Sequence, residues 1–172
     1  GRARATVCAC PSTERNLGDG IVEVDALLVA GASISLGSDS QAHIDLLQEA
    51  QQLEGHCRLL RQRRNVLAPG SGDLNSLAAR LLELMTVQGA RSLGLPTGTL
   101  AEGEEADFVT IDLNHPAVLG PEDASLARVV LGAPAAAVSD VFVAGRRIIT
   151  QGRHLEAEQA AARFLDVVRA LR

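Results

Sequence analysis

Asp39 is the residue of this chain best placed to do chemistry. It follows a short apolar run, Ser33 to Leu36, and stands among Gly37, Ser38 and Ser40. Functional side chains of β/α barrels cluster at the C-terminal ends of strands, which is where this spacing puts the carboxylate. The competing reading is that Asp39 caps the helix that follows. Cys8 and Cys10 are two apart, so both thiols face one side of a strand. A second Cys or His pair at zinc-site spacing is missing, and the two read as small buried strand residues. His43, His56, His115 and His154 are scattered and form neither His-x-His nor His-Glu-x-x-His. His43 falls about a helical turn from Asp39 but reads as a helix-surface residue. Gly70-Ser71-Gly72 lacks the strand–helix setting of a phosphate cradle, and no Ser lies in a Gly-x-Ser-x-Gly elbow. The spacing alone assembles no closed metal site.

Composition removes whole classes of mechanism. All 16 basic residues among the 172 are Arg. The lack of Lys excludes a Schiff-base lysine, a Walker A lysine and a Ser-x-x-Lys pair. There is no Trp or Tyr and only three Phe, too few for a base-stacking platform. A net charge of −5 argues against sequence-independent nucleic-acid binding. With 47% apolar residues the chain can build a core. Three cysteines make no disulfide framework, which points weakly to a reducing compartment. The longest uncharged stretch, Ala26 to Ser38, is too short to span a bilayer, so no membrane association is expected. Arg2 and Arg4 precede only a few apolar residues, which is no signal peptide. Starting at Gly1, the chain reads as a processed or truncated product.

These residues need elements to position them. Residues 6–10 read as a buried strand ended by Pro11, and residues 12–20 as a loop of turn formers. Val24 to Val29 reads as a short helix and Ser33 to Leu36 as a second strand. Leu46, Leu47, Ala50, Leu53, Cys57 and Leu60 recur at helical spacing, with Gln48, Glu49, Gln51, Gln52 and Arg58 on the other face. The run Arg61 to Arg64 suits the C-terminal end of that helix. Asp73 is positioned to cap a helix carrying Leu74, Leu77, Ala78, Leu81, Leu82 and Met85. The period then changes. Phe108 to Asp112 alternates as a strand, and residues 141–149 read as a hairpin about Gly145. Ala161, Phe164, Leu165, Val168 and Leu171 stripe a last helix over 157–171. Two βα units cannot form an independent parallel sheet covered on both faces.

Taken in order, Cys10-Pro-Ser-Thr-Glu-Arg-Asn-Leu-Gly-Asp-Gly20, Leu36-Gly-Ser-Asp-Ser40 and Arg63-Arg-Asn-Val-Leu67 resemble the C-terminal part of the formimidoylglutamate deiminase family of the amidohydrolase superfamily. Gly89-Ala-Arg-Ser-Leu-Gly94, Gly98-Thr-Leu-Ala-Glu-Gly103, Ala106-Asp-Phe-Val109, Asp112-Leu-Asn-His-Pro116, Val141-Phe-Val-Ala-Gly145 and Gly152-Arg-His154 extend the resemblance over nearly the whole chain. The resemblance implies an α/β fold: a C-terminal fragment of a TIM-type (β/α)8 metal-dependent hydrolase barrel plus part of a small β-sandwich domain. Residues 1–97 would carry the seventh and eighth strands with their helices. Residues 98–153 would be part of the small composite β domain, and residues 154–172 the C-terminal helix.

The implied activity is zinc-dependent hydrolysis of a small-molecule amidine, the formimino group of N-formimino-L-glutamate, to formyl-glutamate and ammonia. This is the chemistry of histidine degradation, expected in the cytoplasm. By the same resemblance Asp39 is both the metal ligand and the catalytic proton carrier. Asn16, above the seventh strand, is a substrate-binding candidate. One zinc per full-length subunit is implied, with its remaining ligands outside these 172 residues, and a homodimer for the full-length protein. The isolated chain is therefore expected to be inactive. The family often has His two residues after the metal aspartate; here that residue is Gln41. Two alternatives stand beside this reading: a superfamily deaminase acting on a heterocyclic ring, and a non-catalytic binding or regulatory module derived from the enzyme.

Overall fold

In the computed structural model, residues 5–40, 43–70 and 72–171 are described. Gln41, Ser71, Arg2 and Arg4 lie outside them. Two strands, β1 (Thr6–Ala9) and β2 (Ser33–Leu36), pair in parallel with Thr6 opposite Ser33 and Ala9 opposite Leu36. Ala9, Ile34 and Leu36 turn into the main core, so alternation sends Cys8 to the opposite face. Between the strands lie α1 (Pro11–Leu17) and α2 (Val24–Val29).

The first helix corrects the expectation of a loop over 12–20. Pro11 sits in its first turn, where a missing N–H costs nothing. The Glu14 carboxylate accepts the Cys10 N–H at 2.7 Å and closes the N-terminus. Gly18, at φ +76°, ends the helix in the left-handed region that glycine adopts without strain.

The layer behind the strands is helical. Asp45 caps α3 (Leu46–Arg61) by accepting the Gln48 N–H at 3.1 Å. Asp73 caps α4 (Leu74–Met85) by accepting the Ser76 N–H at 2.8 Å. As expected, Ala50, Leu53 and Cys57 of α3 are buried; they meet Leu77, Ala78, Leu81 and Leu84 of α4 in one core. The polar face of α3 departs from expectation. Glu49 and Glu54 are 0% and 1% exposed. Each carboxylate collects hydrogen-bond donors, which satisfies a charge that apolar surroundings would otherwise expel. Glu54 accepts from Val66 N at 3.0 Å, Leu67 N at 3.1 Å and Arg58 Nε at 2.7 Å. Asn65 takes a left-handed φ of +54° just before the two amides and donates to the Gly72 carbonyl at 2.8 Å. The Arg-Arg-Asn-Val-Leu motif is thus a structural clip over the end of α3. Arg61 forks onto Asp25 of α2 at 2.8 and 2.9 Å, which tethers α3 to α2.

Helix α5 (Val87–Ser92) follows α4 directly. A short 3-10 turn, Glu122–Ala124, leads into α6 (Ser125–Gly132), which packs on α3 and α4 through Ala127 and Val130. The sequence pattern does not reveal α6. Four antiparallel strands, β3 (Phe108–Ile111), β4 (Val138–Val143), β5 (Arg146–Thr150) and β6 (Arg153–His154), form a meander in that order. Ala144 and Gly145, both at positive φ, make the expected two-residue turn of the β4–β5 hairpin. Phe108 and Phe142 are register partners and stack at 4.4 Å between centroids. The last helix, α7 (Ala157–Ala170), is amphipathic as expected, yet no residue of it is buried; Phe164 is 67% exposed. No helix is long and apolar enough to cross a membrane among the described residues.

The Glu54 clip gives a direct test. Glu54→Ala removes three bonds to a carboxylate and strands two amides, so stability falls by about 3 kcal/mol or more in denaturant titration. A loss under about 1 kcal/mol contradicts the clip.

Candidate active site

Asp39 lies three residues beyond the C-terminal end of β2, exposed and at φ +51°. That left-handed backbone is uncommon outside glycine, with Asp and Asn the tolerated exceptions. It does not cap α3; Asp45 does. Its carboxylate makes no hydrogen bond or ion pair among the described residues, which leaves its oxygens available to an incoming group.

The turn that carries Asp39 is fixed from two sides. The Gly37 N–H donates to the Ala9 carbonyl at 3.1 Å, which extends the β1–β2 ladder by one rung. The Thr13 hydroxyl donates to the Ser38 carbonyl at 2.6 Å, which ties the turn to α1. Helix α1 is anchored in its turn by Glu49, whose carboxylate accepts both the amide of Ser12, at 2.9 Å, and its hydroxyl. Ser12 and Thr13 are 2% and 3% exposed. A buried chain of bonds therefore runs from Glu49 through Ser12 and Thr13 to the residue before Asp39. Neither Thr13 nor Glu49 stands out in the sequence. The Ser-Thr pair reads as turn chemistry, and Glu49 falls on the polar side of an amphipathic pattern.

Cys8 and Cys10 do share a face, with their sulfurs 3.9 Å apart. They are not the buried residues expected: Cys8 is exposed and Cys10 half-buried. Partial burial, reinforced by Cys8 and by the charges of Asp39 and Glu14, pushes the Cys10 thiol up to about 12. Asn16 is exposed on α1, three residues from Thr13, and shares no hydrogen bond with Asp39. The histidines do not converge. His115 and His154 accept backbone N–H groups through Nδ1 at 3.2 and 3.1 Å, as turn formers. His56 is held below the usual imidazole range by burial and, next, by Arg15. His43 is exposed in the segment before α3. No group of three His, Cys, Asp or Glu able to hold a metal ion occurs among the described residues. An exposed carboxylate just beyond a strand end, with no hydrogen-bond or ion-pair partner among the described residues, fits one ligand of a metal centre.

The amidohydrolase family model matches residues 2–148. Formimidoylglutamate deiminase of Pseudomonas aeruginosa is 36% identical over 97% of this chain and 37% of its own length. A 5-methylthioadenosine/S-adenosylhomocysteine deaminase of Moorella thermoacetica is 30% identical over 91% of this chain and 36% of its length. Among solved structures, an amidohydrolase from Brucella melitensis superposes with TM-score 0.84 and 34% identity over 97% of this chain and 36% of that one. An adenosine deaminase from Xanthomonas campestris with bound zinc shares the fold, with TM-score 0.79 over 96% of this chain and 38% of that one. The chain thus spans little more than a third of the length of each. The parallel βα pair, its helical layer and the antiparallel meander form the mixed α/β architecture of the corresponding part of such enzymes, and the chain belongs to the amidohydrolase family.

Proposed function

We propose that these 172 residues supply the proton-carrying carboxylate of a zinc-dependent deiminase that hydrolyses N-formimino-L-glutamate to formyl-glutamate and ammonia. The observation that carries the reading is Asp39 itself: an exposed carboxylate in a left-handed turn just beyond a strand's C-terminal end, held through Thr13. The 36% identity with the Pseudomonas aeruginosa deiminase supports the linear amidine as substrate. In this reading residues 1–97 belong to the barrel, 98–153 to the small β domain, and 154–172 form the closing helix.

Zinc, when bound, supplies Lewis acidity that brings a water's pKa down towards about 7. The rest falls to this chain. Asp39 would be one ligand of the ion, and its carboxylate accepts the proton that the attacking water gives up. It then delivers that proton to the nitrogen that departs as ammonia, so water and amidine become formyl amide and ammonia with atoms in balance. A carboxylate does this best when its approach angle is fixed, and the Thr13–Ser38 tie fixes it. Asn16, exposed on α1, is available to a polar group of the substrate. One carboxylate cannot retain a catalytic zinc, which needs three protein ligands, so the isolated chain releases no ammonia.

A second reading is favoured by the 30% identity with the Moorella thermoacetica relative: deamination of a purine-type ring by the same carboxylate. The test is a polypeptide in which this chain follows an amidohydrolase segment that supplies the remaining zinc ligands. Zinc-dependent ammonia release from N-formimino-L-glutamate, exceeding that from 5-methylthioadenosine, is expected; the reverse preference favours the second reading. In that polypeptide Asp39→Asn lowers kcat by roughly a thousandfold, within the range of general acid–base catalysis. Activity within tenfold of the parent contradicts the assignment.

Thr13→Val keeps shape and deletes the bond to the Ser38 carbonyl. It lowers kcat by about tenfold with KM nearly unchanged, the size seen when a ligand's supporting bond is removed. Stability falls by about 1 kcal/mol in denaturant titration. Unchanged kcat contradicts the tie.

A further inference from the structure

The thiol pair at the end of β1 is not used by the proposed hydrolysis. Cys8 and Cys10 face one side of the strand with their sulfurs 3.9 Å apart. Two sulfurs bound to one tetrahedral d10 ion, each at about 2.3 Å, stand about 3.8 Å apart. The pair is thus already spaced for a chelate. Gly37 makes that spacing possible: a Cβ there would lie 3.0 Å from the Cys8 sulfur and 3.4 Å from the Cys10 sulfur. Both thiols sit over the bare glycine.

Other features of the surroundings suit a cation. Asp39 and Glu14 lie near enough for their negative charges to act on Cys10. Ser35, the register partner of Cys8, is 1% exposed and its hydroxyl has no hydrogen-bond partner among the described residues. Paired strand residues share a face, so this buried polar atom lies on the thiols' side of the sheet. The third cysteine, Cys57, is buried in the helical core and takes no part.

We propose that Cys8 and Cys10 form a bidentate site for a soft, thiophilic d10 cation, completed by water. Thiolates select such ions over hard cations. Binding exchanges two S–H protons for two metal–sulfur bonds: one divalent ion and two thiols give a neutral dithiolate and two released protons. The site rests on the sulfur geometry and is independent of the role proposed for Asp39.

Cadmium is the probe, titrated into the 172-residue chain and read by thiolate-to-metal charge-transfer absorption. One ion per chain is expected, and Cys57→Ser leaves its affinity unchanged. Cys8→Ser and Cys10→Ser each lower affinity by on the order of a hundredfold, while Gly37→Ala, which retains every thiol, lowers it by about tenfold. Equal affinity of the parent and Gly37→Ala overturns the proposal, because sulfur spacing would then not matter. Loss of binding in Cys57→Ser, or no charge-transfer band in the parent, overturns it as well.

Discussion

A carboxylate with no exposure to solvent, Glu49, joins the helical layer to the strand ends. It lies in the first turn of α3, yet it reaches across to the amide and hydroxyl of Ser12 in α1. Without those donors a charged group in that position would carry a desolvation cost of several kcal/mol. With them it fixes how α1 meets the C-terminal end of β1. The next residue, Thr13, passes the constraint to the Ser38 carbonyl and so to the turn of Asp39. The position of the one candidate catalytic group is set by a bond network whose root is in the core.

Glu54 does for the far end of α3 what Glu49 does for its start. It binds two consecutive amides just after a left-handed Asn65, so the chain can leave the helix, turn and return Val66 and Leu67 to the core. Two acids five residues apart on one helix therefore shape both of its ends. Each is tolerated because donors meet its carboxylate, one amide and one hydroxyl at Glu49 and three N–H groups at Glu54, and each places backbone that apolar packing alone could not orient.

How much of this the sequence discloses follows from what periodicity measures. The strands around Val7 and Ile34, the cap Asp73 before the stripe of α4, and the hairpin at Ala144-Gly145 are local patterns, and they read correctly; the cap of α3 is Asp45 and not Asp39, because the helix begins only at Leu46. Helix α1 does not, because Pro-Ser-Thr-Glu carries the residue types of a turn as well as those of a helix N-terminus. Glu49 and Glu54 score as polar, and only the arriving Ser12, Val66 and Leu67 amides make them interior. Helix α6 is eight residues long and is hidden between Gly-Pro and an alanine-rich turn. Amphipathicity marks the stripe of α7 but does not supply a partner for it. The two-residue spacing puts Cys8 and Cys10 on one face; their exposure depends on what lies beside the strand, which no local pattern encodes. Asp39 was legible as a candidate from its place after an apolar strand. Its left-handed backbone and its tie to Thr13 depend on contacts distant in sequence.

The most direct measurement is the crystal structure of a zinc-loaded polypeptide in which this chain follows an amidohydrolase segment that supplies the remaining zinc ligands, with the ion located by anomalous scattering. An Asp39 carboxylate oxygen within about 2.0–2.2 Å of the ion, on a turn still bonded to Thr13, is the result expected. An ion fully ligated by other residues, with Asp39 turned towards solvent, would contradict it.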